Sequence, residues 1–326
     1  MKTRTLGKSG FQVSEIGLGC WQLGGDFGPI NGKRSHDILR AAVDSGINFL
    51  DTADVYGGGK SETRIEQFRF ENKPKVIVAT KVGRGGTLFP NGYTKENVRA
   101  NIAGSAIRLG VETVDLVQLH CIPGEVLKDG SILAWLEDYQ SQGLIRAFGA
   151  SVESIDDAML VVDHPGLSSL QIIFNVFRQK PITDLFPAAA ANNVGIIARL
   201  PLASGVLSGK MLPDQVFDPT DHRSYNRHGE AFSQGETFSG IPFEKALELV
   251  DEIRPWVPEG MSMAQMAMRW ILDQPAVSTV IAGASRPAQA RENAATSDLP
   301  PLSTELHQRL TDFYQQKVET EIVVPV

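Results

Sequence analysis

Cysteine is scarce in this chain, with two among 326 residues, Cys20 and Cys121, and neither in a CxxC pair. A disulfide framework or a cysteine-based structural zinc site has nothing to build on, and a reducing, cytoplasmic setting is the expectation. Long apolar runs are missing too: none approaches the roughly 20 residues a membrane-spanning helix needs. The opening MKTRTLGKSG lacks the apolar stretch of a secretory signal. Positive charge is in deficit, 31 Lys and Arg against 38 Asp and Glu, for a net charge of −7. Affinity for nucleic acid or anionic lipid rests on phosphate neutralisation, so neither partner is expected, and a bound anion must find a local site. No GxGxxG turn follows the first apolar run, because Gly17-Leu18-Gly19-Cys20-Trp21-Gln22 misses the third glycine. This argues against a doubly wound dinucleotide fold. Without a tight His spacing or a carboxylate cluster no metal is expected, and His222 and His228 read as exposed loop residues. Heptads are also missing, which leaves the oligomeric state unread.

What the chain does contain is alternation. Short runs rich in Val, Ile and Leu at 49–50, 76–79, 116–119, 145–150, 170–176, 194–198 and 280–282 are separated by segments of helical period. Residues 94–109 show the helical half: Val98, Ile102, Ala106 and Leu109 share a stripe, with Thr94 as N-cap and Gly110 as stop. Residues 35–43 and 304–314 read alike. Counting EIGLG at 15–19 as the first strand makes eight strands, which right-handed crossovers close into a (β/α)8 TIM barrel, one domain over 1–326. Ahead of it, apolar residues around Gly7-Lys8-Ser9-Gly10 predict a β-hairpin. Residues 212–242, irregular and rich in Pro, Gly, Asp and Asn, predict a lid over the barrel mouth.

Catalytic groups in such a barrel sit at the C-terminal ends of strands. Here the second strand ends in Asp51-Thr52-Ala53-Asp54-Val55-Tyr56, the third in Thr80-Lys81 and the fourth in Gln118-Leu119-His120. A carboxylate, a phenol, an ammonium and an imidazole in one mouth can protonate a developing alkoxide. A free phenol has a pKa near 10, and Lys81 is the cation that would make Tyr56 more acidic. Asp51 would keep that ammonium charged, and His120 would orient the substrate oxygen. Taken singly, each residue has a plainer explanation as a cap, a surface charge or a packing group. Gly59-Lys60-Ser61 resembles the tail of a phosphate-binding loop, but Asp54 stands where that loop needs a glycine, so triphosphate binding is rejected. Ser61 or Glu62 instead reads as the cap of the next helix.

In order, spacing and strand context, NFLDTADVYG, VIVATKVG and VDLVQLH resemble the aldo-keto reductase family, in its bacterial and potassium-channel β-subunit-like branch. The resemblance covers almost the whole chain. It implies a catalytic tetrad of Tyr56, Asp51, Lys81 and His120, acting between a carbonyl or alcohol substrate and NADP(H) bound without a Rossmann fingerprint. For the cofactor it implies Ser151 and Gln171 on the nicotinamide carboxamide, and Arg199, Leu200, Pro201, Leu202, Ser204, Gly205 and Lys210 along the pyrophosphate. It further implies Gly283, Ser285, Arg286, Gln289, Glu292 and Asn293 at the adenosine end, with Cys20, Trp21 and Asp51 beside the ring. Arg199 departs from the family, which often has an aromatic residue there stacked on the nicotinamide; a guanidinium must replace that ring or reach another acceptor. Two rival readings stand beside the reductase. One is a nicotinamide-binding partner subunit with little turnover, disfavoured because channel β subunits commonly lack the histidine present at His120. The other is a barrel hydrolase, which leaves Lys81 and Tyr56 without roles.

Overall fold

The computed structural model describes residues 1–325. Two short antiparallel strands come first, β1 (Thr3–Thr5) and β2 (Gln12–Ser14), paired Thr3 to Ser14 and Thr5 to Gln12. Eight parallel strands then close into a barrel: β3 (Ile16–Gly19), β4 (Phe49–Asp51), β5 (Ile77–Val82), β6 (Val114–His120), β7 (Ile145–Ser151), β8 (Ser169–Ile173), β9 (Gly195–Arg199) and β10 (Val277–Gly283). The seam is β10 against β3, in register from Val280 with Ile16 to Gly283 with Gly19. Helices cover the outer face, so β8 and β9 are buried on both sides and read in sequence as unbroken apolar runs.

The hairpin has a structural task. Leu6, Phe11 and Val13 join Phe49, Ala79, Leu116, Ala147, Ile197 and Ile281 in the interior cluster of the barrel, plugging its N-terminal end. Each of Leu6, Phe11 and Val13 removed from water contributes about 1.5–3 kcal/mol. The opposite end stays open, and every strand's last residue faces it.

Helix caps fall where the residue types require. Asn31 accepts from the Arg34 amide ahead of Gly32–Asp44, Thr94 from Asn97 ahead of Lys95–Leu109, and Ser303 from Leu306 ahead of Thr304–Phe313. Several expectations are corrected. Neither Ser61 nor Glu62 caps Lys60–Asn72, which starts from Gly59 at φ 89° without a side-chain cap. Ser61 Oγ instead donates to the Cys20 carbonyl, and Glu62 accepts from Thr80 and Arg108. Strand β5 runs through Lys81, because Thr80 and Lys81 find partners inside the protein. Strand β8 stops at Ile173: Asn175 turns the chain by accepting from the Phe177 amide and donating to the Leu200 carbonyl.

Residues 212–242 hold a short helix (His222–Tyr225) and 3-10 turns at Gln234–Glu236 and Phe238–Gly240. His228 is exposed as expected, but His222 is fully buried. Its ring packs 4.5 Å from both Trp21 and Phe27, and its backbone amide donates to the Asp26 carbonyl. Its Nδ1 lies 3.3 Å from the Asp26 carbonyl oxygen and 3.6 Å from Asp221 Oδ1, and three aromatic rings, Phe232 being the third, surround it. Among the described residues no helix is long and apolar enough to cross a membrane.

Candidate active site

The open end of the barrel leads into a cavity of about 290 Å³. Asp51, the last residue of β4, is at its floor with its side chain 3% exposed. It accepts from three donors: the Lys81 ammonium, Gln171 Nε2 at 2.7 Å and Gln118 Nε2 at 3.2 Å. Lys81, on β5, donates in addition to the Thr52 carbonyl (2.9 Å) and to the Tyr56 hydroxyl (3.2 Å). Burial pulls the Lys81 pKa down, but Asp51 and then Tyr56 hold it above its ordinary value, so the ammonium stays charged. A buried ion pair survives only if the remaining valences are satisfied, and here the two glutamines and a carbonyl do this.

Tyr56 reaches the cavity from the turn after β4. Its position depends on the glycines behind it: Gly57 has φ 59°, and a β-carbon there would come within 2.3 Å of the Gly24 carbonyl oxygen. The phenol stacks on Trp21 with centroids 5.7 Å apart and meets His120 edge-on at 5.9 Å. Its acidity differs from the expectation. Burial, the largest influence, pushes the hydroxyl up to about 12 despite the opposing charge of Lys81, with Asp51 and Glu236 adding to the rise. Tyr56 is therefore a neutral hydroxyl donor whose pKa Lys81 restrains. His120 ends β6; burial and then Arg84 hold its pKa well below the ordinary value, so the imidazole is neutral. Its Nδ1 is buried and makes no hydrogen bond within the chain.

Beyond this group the cavity is lined by Ser151 and Gln171, whose side chains hydrogen-bond at 3.2 Å, then by Arg199 to Leu202, Ser204 and Gly205, and finally by Gly283, Ser285 and Gln289. Leu200, Ala203 and Ser204 hold φ of 52°, 46° and 57°, left-handed values that cost non-glycine residues energy and persist where the surroundings impose them. Ser285 donates through its amide and hydroxyl to Gln289 Oε1, and the Asn293 amide donates to the Gly283 carbonyl at 3.3 Å. Trp21, half-buried, walls the cavity; Cys20 next to it does not, its thiol being buried in the core with Sγ 3.5 Å from the Leu18 carbonyl. Lys210, Arg286 and Glu292 are exposed and outside the lining.

Other residues at the mouth escaped the sequence reading. Gln22, Phe27, Arg223 and Glu236 line the cavity, the last two from within residues 212–242. Glu236 Oε1 accepts from Arg84 at 2.6 Å and lies 3.5 Å from Arg199; Arg84 also binds Glu153 at 3.1 Å. Burial opposes the Glu236 charge, but Arg84 and then Arg199 hold its pKa below the ordinary value. Arg199 reaches acceptors within the chain, donating through Nη2 to the Val152 carbonyl at 3.0 Å. Cys121, Glu153 and Glu236 lie close enough to share a cation, but the two guanidiniums already occupy those carboxylates. Composition alone offers no signal for this network, since Arg84 and Glu236 are 152 residues apart.

Residues 15–315 match the profile of the Aldo/keto reductase family. The chain is 29% identical over 322 residues to an uncharacterised oxidoreductase, YqkF, of Bacillus subtilis, covering 98% of each. It is 27% identical over 321 residues to the NADH-specific methylglyoxal reductase of Escherichia coli, covering 92% of this chain and 94% of that one. Among solved structures, the glycerol dehydrogenase AKR11B4 of Gluconobacter oxydans superposes with a TM-score of 0.77 at 29% identity, over 99% of this chain and 97% of that one.

Proposed function

The chain belongs to the aldo/keto reductase family of oxidoreductases, and from that premise we propose that it interconverts a carbonyl compound and its alcohol with NADP(H), using Tyr56 as proton donor. The observation that carries this reading is the junction of Asp51, Lys81 and Tyr56 through the Lys81 ammonium, inside a cavity that His120 also lines. Four polar residues, three from strands and Tyr56 from the turn after β4, would not converge there for packing alone.

The lining suits an extended dinucleotide. A hydrogen-bonded hydroxyl and amide, Ser151 and Gln171, are at the end nearest Asp51 and can take a carboxamide. The left-handed turns at Leu200, Ala203 and Ser204 can present amides to a pyrophosphate. Ser285 and Gln289 open the helix Pro287–Ala295, with Asn293 behind them and Arg286 and Glu292 exposed beside it for an adenosine phosphate. Preference for NADP(H) over NAD(H) rests on the family resemblance, with Arg286 as the candidate partner of a 2′-phosphate. The bound nicotinamide supplies or accepts the hydride. In reduction Tyr56 gives its proton to the oxygen that becomes the alcohol; in oxidation it takes that proton back. Lys81 stabilises the phenolate left behind, Asp51 keeps Lys81 charged and oriented, and the neutral His120 fixes the substrate oxygen. Trp21 and the segment 212–242, with His222 packed on Trp21, exclude water from the mouth.

Fluorescence titration with NADPH and NADH, followed by carbonyl-dependent oxidation of the bound cofactor, tests the reading. Binding with turnover is the expected result. Binding without turnover of any aldehyde or ketone in a broad panel would instead indicate a nicotinamide-binding partner subunit.

A further inference from the structure

Arg199 ends β9, yet its side chain does not stay there. It crosses the end of β8 to donate to the Val152 carbonyl after β7, with Nη2 at 3.0 Å, and comes 3.7 Å from Cys121 Sγ beyond β6. The guanidinium thus spans the mouth, 8% exposed, in the lining of the cavity that holds Tyr56 and His120. Its Nε is buried and makes no hydrogen bond. Glu236, 3.5 Å from Nη1, lines the same cavity, whereas Arg84 and Glu153, which complete the network, do not. Two cations and two anions balance overall, but of these four only Arg199 and Glu236 line the cavity, which Asp51 and Arg223 also line.

Resting on the cofactor reading above, the ring that exchanges hydride has to reach a carbon next to Tyr56 and His120, on the β4 to β6 side. The wall across from them is β8 and β9, where Gln171 and Arg199 stand. A ring held there would have the Arg199 guanidinium beside it. Oxidised nicotinamide carries a positive charge on that ring and reduced nicotinamide does not, while the carboxamide, riboses and phosphates are common to both. Charge at this wall is one of the few means by which the protein can tell the two forms apart, and inside a low-dielectric cavity it acts strongly.

We propose that the Arg199–Glu236 pair sets which redox form of the dinucleotide the chain holds more tightly, Arg199 favouring the reduced form and Glu236 limiting that preference. The pair acts on the ring's charge and takes no part in proton transfer, which belongs to Tyr56.

Dissociation constants of the oxidised and reduced forms, for the phosphorylated and unphosphorylated dinucleotides, test this. Quenching of protein fluorescence, to which Trp21 at the cavity wall contributes, reports both forms without turnover. Arg199→Met should lower the ratio of oxidised to reduced dissociation constants by about tenfold, and Glu236→Gln should raise it by a similar factor. Arg199→Lys, which keeps the charge, should preserve the ratio. A purely structural role would weaken both forms by one factor in every variant, and unchanged ratios overturn the proposal while leaving the function intact. If Arg199→Met fails to fold, a Glu236→Gln ratio that does not rise is sufficient to overturn it. Failure of the wild-type protein to bind either form overturns both readings together.

Discussion

Replacing Tyr56 by Phe isolates the proton donor with little else changed. The ring keeps its stack on Trp21 and its edge contact with His120. What is lost is one hydroxyl and its hydrogen bond from Lys81, which retains Asp51 and the Thr52 carbonyl as acceptors. Stability should therefore change by about 1 kcal/mol or less. Catalysis should change far more, because a positioned acid contributes about 10²–10⁴ in rate, or about 3–5 kcal/mol of barrier. The assay is single-turnover oxidation of prebound NADPH on mixing with a carbonyl, beside a fluorescence titration for affinity. We expect the rate to collapse with affinity preserved. The wild-type rate of reduction should also be free of a tyrosine limb at neutral pH: reduction uses the protonated phenol, and with its pKa pushed up to about 12 that form dominates throughout. A Tyr56→Phe enzyme that reduces carbonyls as fast as the wild type would refute the assignment.

Other expectations follow from the same geometry. Lys81→Met strands the Asp51 carboxylate with only Gln118 and Gln171 as donors, which should cost about 3–5 kcal/mol in urea unfolding. Adding Asp51→Asn should recover part of that loss, and strictly additive single-variant effects would contradict the coupling. Gly57→Ala forces a β-carbon to 2.3 Å from the Gly24 carbonyl oxygen at φ 59°, so a loss of about 1–3 kcal/mol and displaced Tyr56 activity are expected from thermal melts and turnover. Burial lowers the His222 pKa from 6.5 to about 4, so the unfolded chain takes up that proton first as pH falls. The stability it contributes is complete above about pH 6.5 and is lost as pH falls to about 4, up to about 3 kcal/mol. His222→Phe should flatten that acid limb of the melting temperature, and superimposable limbs in the two proteins would rule the explanation out.

Periodicity made the barrel legible, because helix-covered parallel strands are buried on both faces and have to be apolar throughout. The polar residues after the runs 49–50, 76–79 and 116–119 stood out for the same reason: those runs contain no charge, and Asp51, Lys81 and His120 follow them. Strand ends were less visible. Thr80 and Lys81 read as the edge of β5 yet lie inside it, since their partners Glu62 and Asp51 come from other elements. The proposed cofactor strip was visible only where residue type matters. Ser151, Gln171 and Ser285 line the cavity, while Cys20 turned inward and Lys210, Arg286 and Glu292 outward, a choice that depends on local backbone direction.

Sequence alone determined the order of strands and helices, the hairpin and the residue types at the mouth, because period, caps and strand-end polarity are local properties. Tertiary structure decided how acidic those groups are and which of them meet. The Tyr56 hydroxyl rises because enclosure outweighs one nearby ammonium, and His222 is buried because Trp21 and Phe27, about 200 residues earlier in the chain, fold against it. Arg84, Arg199 and Glu236 become one network only when the barrel closes and Glu236, from residues 212–242, reaches both guanidiniums. Desolvation and Coulomb energy depend on distances through space, and sequence separation does not encode them.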